Sequence, residues 1–292
     1  MSIVVCLKWV SLRPVVDPLT AEITDDSRWF GLSSADEAAL EVALGLGEQW
    51  ATEVIAVSAG SVEAEGALRS ALGCGADRAI RVESSSDAPS DRVAAGLAEA
   101  IRRAAGADMG DADASDASIS PLVVVCGDYS LDRGTGSVPA YLAEELGAAQ
   151  ALGLIGLTAS ATKSIDALRR LDGGRRERLS VSGPAVISVE GSVARLRRAP
   201  LAKMLAAERA VIAVVDGSVD HGADGSHTKV LRPYRPRART LPPPVGGHSL
   251  DRIRILTGAA QERTPPRRLE LDPVAAADAV LDQLRSWGYL DR

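Results

Sequence analysis

The chain has 292 residues, of which 46% are hydrophobic and 25% charged, a globular composition with material for one large domain or two ordinary ones. A net charge of −6 gives no basic field for nucleic acid or an anionic membrane, and four Trp, four Tyr and one Phe leave little to stack single-stranded bases. Cys6, Cys74 and Cys126 form no C-x-x-C pair and the first apolar run is far too short to span a bilayer, so the expectation is a cytoplasmic protein without disulfides, metal or direct membrane insertion.

In chain order, apolar runs at Ile3–Leu7, Val54–Ser58, Ala79–Val82, Leu122–Cys126, Ala185–Val189 and Val211–Val215 are apolar on successive residues, as buried parallel strands are. Between them, Ala35–Gly47, Val62–Leu72, Asp91–Ala104 and Val138–Leu146 carry helical patterns. The alternation predicts βαβ units and an open α/β fold. Ser34-Ala-Asp-Glu37 reads as a capping box starting the first helix. Asp172-Gly173-Gly174, between Ile165–Leu171 and Arg175–Val181, reads as a hairpin turn and predicts an antiparallel edge. Gly106–Ser120 is acidic and poor in apolar residues, the composition of a solvated loop.

The texture changes after Val215. Asp216–Lys229 is a Gly/Asp/Ser/His loop, and Leu231–Pro244, LRPYRPRARTLPPP, holds too much proline for a helix or central strand. It predicts an extended arm ending in a short amphipathic helix, Pro273–Trp287. Residues 1–215 are therefore read as one nucleotide-binding α/β domain. Residues 216–292 are read as a flexible loop, an arm and a helix that pack on a partner subunit.

The chemistry concentrates after the fourth strand, in Gly127-Asp-Tyr-Ser-Leu-Asp132-Arg-Gly134-Thr135-Gly136-Ser137 leading into the helix at Val138. A glycine-containing loop between a parallel strand and a helix start offers free backbone amides and the positive end of the helix dipole to an anion. Thr135 and Ser137 add hydroxyls. The pattern is neither G-x-x-x-x-G-K-[ST] nor G-x-G-x-x-G, so neither a P-loop NTPase nor the usual dinucleotide fingerprint follows. The Ala59-Gly60 loop also joins strand to helix, but Glu63 and Glu65 would repel phosphate there, which suits adenine or ribose better. His221 and His227 have no third ligand, so a solvated loop outweighs a metal site. Arg195–Arg198 and Arg232–Arg239, without interleaved aromatics, read as subunit-facing rather than RNA-facing. No catalytic acid, base or nucleophile stands out.

Five ordered blocks resemble the β subunit of electron transfer flavoprotein, the FixA-type half of an αβ heterodimer. They are V-V-C-L-K-W-V at the start, Asp36–Leu44, Glu53–Gly60, Ala67–Ile80 with L-R-x-A-L-x-x-G-A-D-R-A, and Val123–Gly147. The resemblance implies a three-layer parallel-sheet fold of the adenine nucleotide α-hydrolase type that hydrolyses nothing. It implies an electron carrier whose FAD is shared with, and mostly held by, the α subunit, with AMP or a second FAD in the β subunit. Electrons would come from a donor dehydrogenase and leave to a quinone oxidoreductase or another acceptor. Carried over by motif, Cys6, Lys8, Ser33 and Asp36 would line the nucleotide site, Ala59 and Gly60 would border the base, and the run from Asp132 through Arg133, Gly134, Thr135, Gly136 and Ser137 to Val138 would cradle the phosphates, with Gly127 also in the cofactor site. A recognition loop would fall at Val193–Met204, with Leu201 docking into the dehydrogenase and Arg197 beside it.

Three departures matter. Many AMP-type members read D-D-x-x-N-Q-T-G in the phosphate loop, and bifurcating members tend towards D-G-D-T-A-Q-V-G; Asp132, Thr135 and Val138 follow the second frame somewhat better, which leaves both nucleotides open. The recognition loop lacks N-E-P-R-Y and the lysines that follow it, pointing away from the standard acyl-CoA dehydrogenases. The Arg/Pro arm resembles the branch associated with mycofactocin gene clusters. The alternative from another class is a stand-alone nucleotide-binding regulator of the universal-stress type.

Overall fold

The computed structural model describes residues 2–20, 22–106, 123–217, 243–245, 247–257 and 268–290. The acidic stretch after Gly106, Leu122, both His221 and His227, and most of the Arg/Pro arm lie outside the described residues. The chain divides into two compact units, Met1–Tyr234 and Arg235–Arg292.

Among the described residues of the first unit the strands are β1 (Ile3–Cys6), the short β2 (Val10–Ser11), β3 (Val15–Val16), β4 (Ile23–Thr24) and β5 (Phe30–Gly31), then β6 (Val54–Ala59), β7 (Arg78–Glu83), β8 (Val123–Gly127), β9 (Ala149–Ala159), β10 (Ser164–Arg170), β11 (Arg176–Ser182), β12 (Ala185–Val189) and β13 (Ala213–Asp216). The helices are α1 (Ser34–Trp50), α2 (Glu65–Cys74), α3 (Ser90–Gly106), α4 (Val138–Leu146) and α5 (Leu201–Arg209). Nine strands form one sheet in the order β11-β10-β9-β12-β8-β1-β6-β7-β13. It is parallel from β9 to β13 and antiparallel across β9, β10 and β11.

Continuous apolar strands follow from burial on both faces. Ile3, Val5, Val54, Ala56, Val123 and Val125 pack with Leu40, Leu44 and Leu68 of α1 and α2 on one side. Val4, Cys6, Ile55, Val57, Val124 and Cys126 pack with Leu97, Ile101 and Leu142 of α3 and α4 on the other. This three-layer parallel sheet is the expected fold class. A fully buried Ile or Leu in it contributes about 1.5–3 kcal/mol. Small Ala and Val residues at these positions let helices and sheet approach closely, which is where the shortage of aromatics is absorbed.

The hairpin at Asp172–Gly174 forms as the turn residues require, with Gly173 and Gly174 at φ 70° and 75°. The capping box is one residue out of place. Ser33, not Ser34, is the N-cap: its Oγ accepts from the Asp36 amide at 3.1 Å and donates to Asp36 Oδ2 at 2.7 Å. The segment Val62–Leu72 is a 3₁₀ turn, Val62–Ala64, followed by α2. The last strand starts at Ala213, and Val211 is 94% exposed. Sequence patterning missed β9, the two small hairpins between Val10 and Gly31, and α5.

In the second unit, α6 (Ser249–Leu256) and α7 (Pro273–Ser286) are the helices among the described residues. Asp272 caps α7, its Oδ1 accepting from the Val274 and Ala275 amides at 3.0 Å. Leu250, Ile253, Val274 and Val280 are exposed on these helices.

Candidate functional site

In an open parallel sheet the backbone diverges beyond the carboxyl ends of the strands, and loops there can surround a ligand. The loops after β1, β6, β7 and β8 meet in one cleft enclosing about 880 Å³ including the space at its open mouth. Of the residues singled out above, Cys6, Lys8, Asp36, Ala59, Gly60, Gly127, Arg133, Thr135, Gly136, Ser137 and Val138 line it. The other three stand beside it. Ser33 holds Asp36 from behind, Asp132 Oδ2 pairs with Lys8 Nζ at 2.6 Å, and Gly134 makes the turn at φ 64°.

Two glycines shape the loop after β8. Gly134 donates to the Ser130 carbonyl at 2.8 Å. Gly136, at φ 59°, lies so close to the Asp128 carbonyl that a Cβ would sit 2.5 Å from its oxygen. No other residue fits there without movement. Thr135 Oγ1 and Ser137 Oγ are 3.0 Å apart, directly before α4. Pro139 occupies the first turn of that helix, where a missing N–H costs nothing. Backbone amides, two hydroxyls and a helix start therefore face one space, and a phosphate-bearing ligand fits that donor set.

The electrostatics vary around the cleft. Asp36, 6% exposed, has its carboxyl pushed up to about 6 by burial, against hydrogen bonds from Ser33 and the Lys8 backbone and the Lys8 charge. Burial also raises Asp132, but hydrogen bonds from Lys8 and Ser130 with the Lys8 charge outweigh it and hold the carboxyl below its ordinary value. Cys6 and Cys126 are in-register neighbours on β1 and β8. A hydrogen bond with Cys6, together with burial, pushes the Cys126 thiol well above its ordinary value, so Cys126 is a neutral wall. Asp128 is raised mainly by burial, and its Oδ1 is enclosed without a hydrogen-bond partner.

The loop after β7 was missed. Ser84, Ser85, Ser86, Ala88 and Ser90 line the cleft, as do Tyr129 and Ser130 from the loop after β8. The signal was present. Arg78–Glu83 neighbours β6 in a parallel sheet, so its carboxyl end had to open on the same side.

The segment Val193–Met204, expected from the resemblance to meet the donor, has a different setting. Leu201 begins α5 and is 70% exposed, with Met204 and Leu205 also exposed. Arg69 of α2 holds this helix by its carboxyl end, bonding the carbonyls of Ala207 at 2.8 Å and Glu208 at 2.9 Å. The Arg197 side chain is engaged inside its own chain, with Glu41 Oε1 at 2.9 Å and with Glu48. Those two carboxylates raise its pKa further above the ordinary guanidinium value. Its role in this geometry is to tie the segment before α5 onto α1.

Cys6, Cys74 and Cys126 are free and buried. Among the described residues no three His, Cys, Asp or Glu side chains are grouped to hold a metal ion, and no helix is long and apolar enough to cross a membrane.

The family model for the electron transfer flavoprotein domain matches residues 23–219. Protein FixA of Azorhizobium caulinodans is 33% identical over 252 residues, covering 82% of this chain and 86% of its own. Protein FixA of Bradyrhizobium diazoefficiens is 32% identical over 253 residues, 82% and 84% of the two chains. The electron transfer flavoprotein subunit beta of Syntrophomonas wolfei is 29% identical over 246 residues, 82% and 87%. These matches lend no support to a stand-alone regulator.

Proposed function

The chain belongs to the electron transfer flavoprotein family as a β-type subunit, and from that premise we propose that it works in an αβ heterodimer, with a nucleotide held in the cleft of its own sheet. The family's members carry electrons rather than turn over a substrate. The observation that carries the reading is the glycine-shaped loop before α4, where Gly136 brings backbone to within contact of backbone and leaves amides and hydroxyls facing the cleft.

The shared FAD, when bound, supplies the electron-accepting and electron-donating chemistry. This chain's residues do the holding. Thr135, Gly136, Ser137 and the start of α4 take the phosphate of AMP or of a second FAD, Ala59 and Gly60 border its base, and Asp36 with Cys6 closes the floor. Lys8 and Asp132 cancel each other's charge, so the pair braces the phosphate loop against β1. Residues 1–215 form the nucleotide-binding domain, and 216–292 pack on the α subunit. The exposed apolar residues of α6 and α7 are what such packing would cover. Electrons arrive from a donor dehydrogenase and pass to a quinone oxidoreductase or another acceptor, and the setting is cytoplasmic.

Co-expression with an α subunit should give a yellow 1:1 dimer. Denaturing extraction and mass identification should then release AMP plus one FAD, or two FAD. A well-folded dimer without flavin would overturn the reading.

Leu201 is the proposed docking side chain for the donor. Leu201→Ala should slow flavin reduction by the dehydrogenase about 30-fold, since an interface anchor is worth on the order of 2 kcal/mol, with flavin content unchanged. Unaltered reduction kinetics in stopped flow would remove Leu201 from the donor interface.

A further inference from the structure

The loops after β7 and β8 both line the cleft, and the Arg133 side chain joins them. Arg133 sends Nη1 to the Ala88 carbonyl at 2.6 Å and Nη2 to the Ser86 carbonyl at 2.8 Å. All three residues line the cleft. A guanidinium presents its donors as a planar fork and can hold two carbonyls at once, which a lysine ammonium on its flexible stem does not reproduce.

The segment from Ser84 to Pro89 has no regular structure. Within the segment, Ala88 donates to the Ser85 carbonyl at 3.1 Å and the Ser85 hydroxyl bonds Asp87, while the Pro89 carbonyl accepts from the Val93 amide of α3 at 3.0 Å. Such bonds shape a loop without fixing it to its neighbour. Arg133 does fix it. Its own backbone is anchored in turn, because its amide donates to Asp132 Oδ1 at 3.0 Å while Asp132 Oδ2 is paired with Lys8 on the far side. The chain of contacts runs from β1 through Lys8, Asp132 and Arg133 to the serine loop. The carbonyls at the end of it are neutral, so these bonds leave the Arg133 charge at the cleft uncancelled.

We propose that Arg133 is a latch. It is a positioning residue that fastens Ser84–Pro89 over the occupied cleft, and it sets how slowly the nucleotide leaves. The proposal rests on the reading of the cleft as a nucleotide site and adds to it the part that controls exchange. A ligand beneath the loop escapes when both carbonyl bonds let go. The hydroxyls of Ser84, Ser85 and Ser86 stay against the ligand while both hold.

The test uses αβ dimers loaded with tritiated AMP, or in parallel with tritiated FAD, and chased with the unlabelled nucleotide. Arg133→Ala should release label at least tenfold faster than wild type. Arg133→Lys should behave like Arg133→Ala, because it keeps the charge and loses the fork. Hydrogen exchange on nucleotide-stripped dimers gives a readout free of ligand: amides of residues 84–90 should exchange faster in both variants. If Arg133→Ala does not assemble, Arg133→Met supplies a side chain of similar length for the same measurement.

A lysine variant that keeps the wild-type release rate would overturn the latch and leave a charge effect. An alanine variant with unchanged release and unchanged exchange would overturn it outright. Wild-type dimers that retain neither label would overturn the nucleotide site itself, a result distinct from equal retention by wild type and variant.

Discussion

A Gly136→Ala αβ dimer is expected to leave purification with its β-bound nucleotide largely lost, retention falling well over tenfold. Two penalties act at this position. The backbone sits at φ 59°, where an L side chain costs about 1–2 kcal/mol. The new Cβ would also lie 2.5 Å from the Asp128 carbonyl oxygen. That carbonyl cannot easily retreat, because the Asp128 amide is bonded to the Val189 carbonyl at 3.0 Å, at the end of the sheet. The loop must move instead, taking Thr135 and Ser137 with it. Gly134→Ala is the matched control. Gly134 has a similar φ of 64°, but its Cβ would find the Ser130 carbonyl oxygen no nearer than 4.0 Å. Strain alone of about 1–2 kcal/mol corresponds to roughly tenfold weaker retention. Quantifying nucleotide in denaturing extracts should rank wild type above Gly134→Ala and Gly134→Ala above Gly136→Ala. Full occupancy in Gly136→Ala would show that the ligand does not depend on this loop.

The sheet was legible because its strands are buried on both faces. Residues such as Ile3, Val4, Val5 and Cys6 serve two cores at once, and that demand leaves an uninterrupted apolar run. β9 was not legible for the converse reason. AQALGLIGLTA carries two glycines, and its pairing changes along its length, with a register shift against β12 and an antiparallel partner in β10. Half-buried positions with glycines interrupting them leave no single period to read. α5 escaped because its hold on the fold comes from Arg69, more than a hundred residues away in sequence, while Leu201, Met204 and Leu205 stay exposed. A helix that buries little of its own apolar face writes a weak pattern.

The cleft was legible where one residue type has one physical reason. Glycines between a strand and a helix point to close approach, and the loop after β8 provides it. The same logic failed at Ser33 and Ser34, since either serine has an acid three residues on: Asp36 for the first, Glu37 for the second. The choice is made by tertiary packing. Asp36 turns inwards to the cleft and needs the Ser33 hydroxyl as its partner. The serine loop after β7 was invisible to composition, because serines with Asp and Pro read as an ordinary turn. Arg133 is what gives that loop a place.

Asp36→Asn should make the protein more stable at pH 8 and leave it almost unchanged near pH 4. In the fold, burial pushes the Asp36 carboxyl from 3.8 up to about 6. Between those values the folded protein binds more protons at this position than the unfolded chain does, so stability falls as pH rises through the interval. Above pH 6 the carboxylate is ionised inside the fold, at a cost of about 3 kcal/mol for a rise of about two pH units. An amide of the same shape removes that cost and can still accept from the Ser33 hydroxyl. Part of the gain is forfeited, because the Lys8 charge no longer meets an anion. The groups that face Asp36 are Ser33, Lys8 and the Cys6–Cys126 pair. Of these the Cys126 thiol is pushed well above its ordinary value, so the difference in slope between wild type and variant from pH 4 to pH 7 follows Asp36. Thermal melts of wild-type and Asp36→Asn dimers over that range should diverge as pH rises, the variant melting higher at the alkaline end. A variant less stable than wild type by the same margin at every pH would mean that the carboxylate is fully compensated where it lies, and that its place in the cleft is held by hydrogen bonds alone.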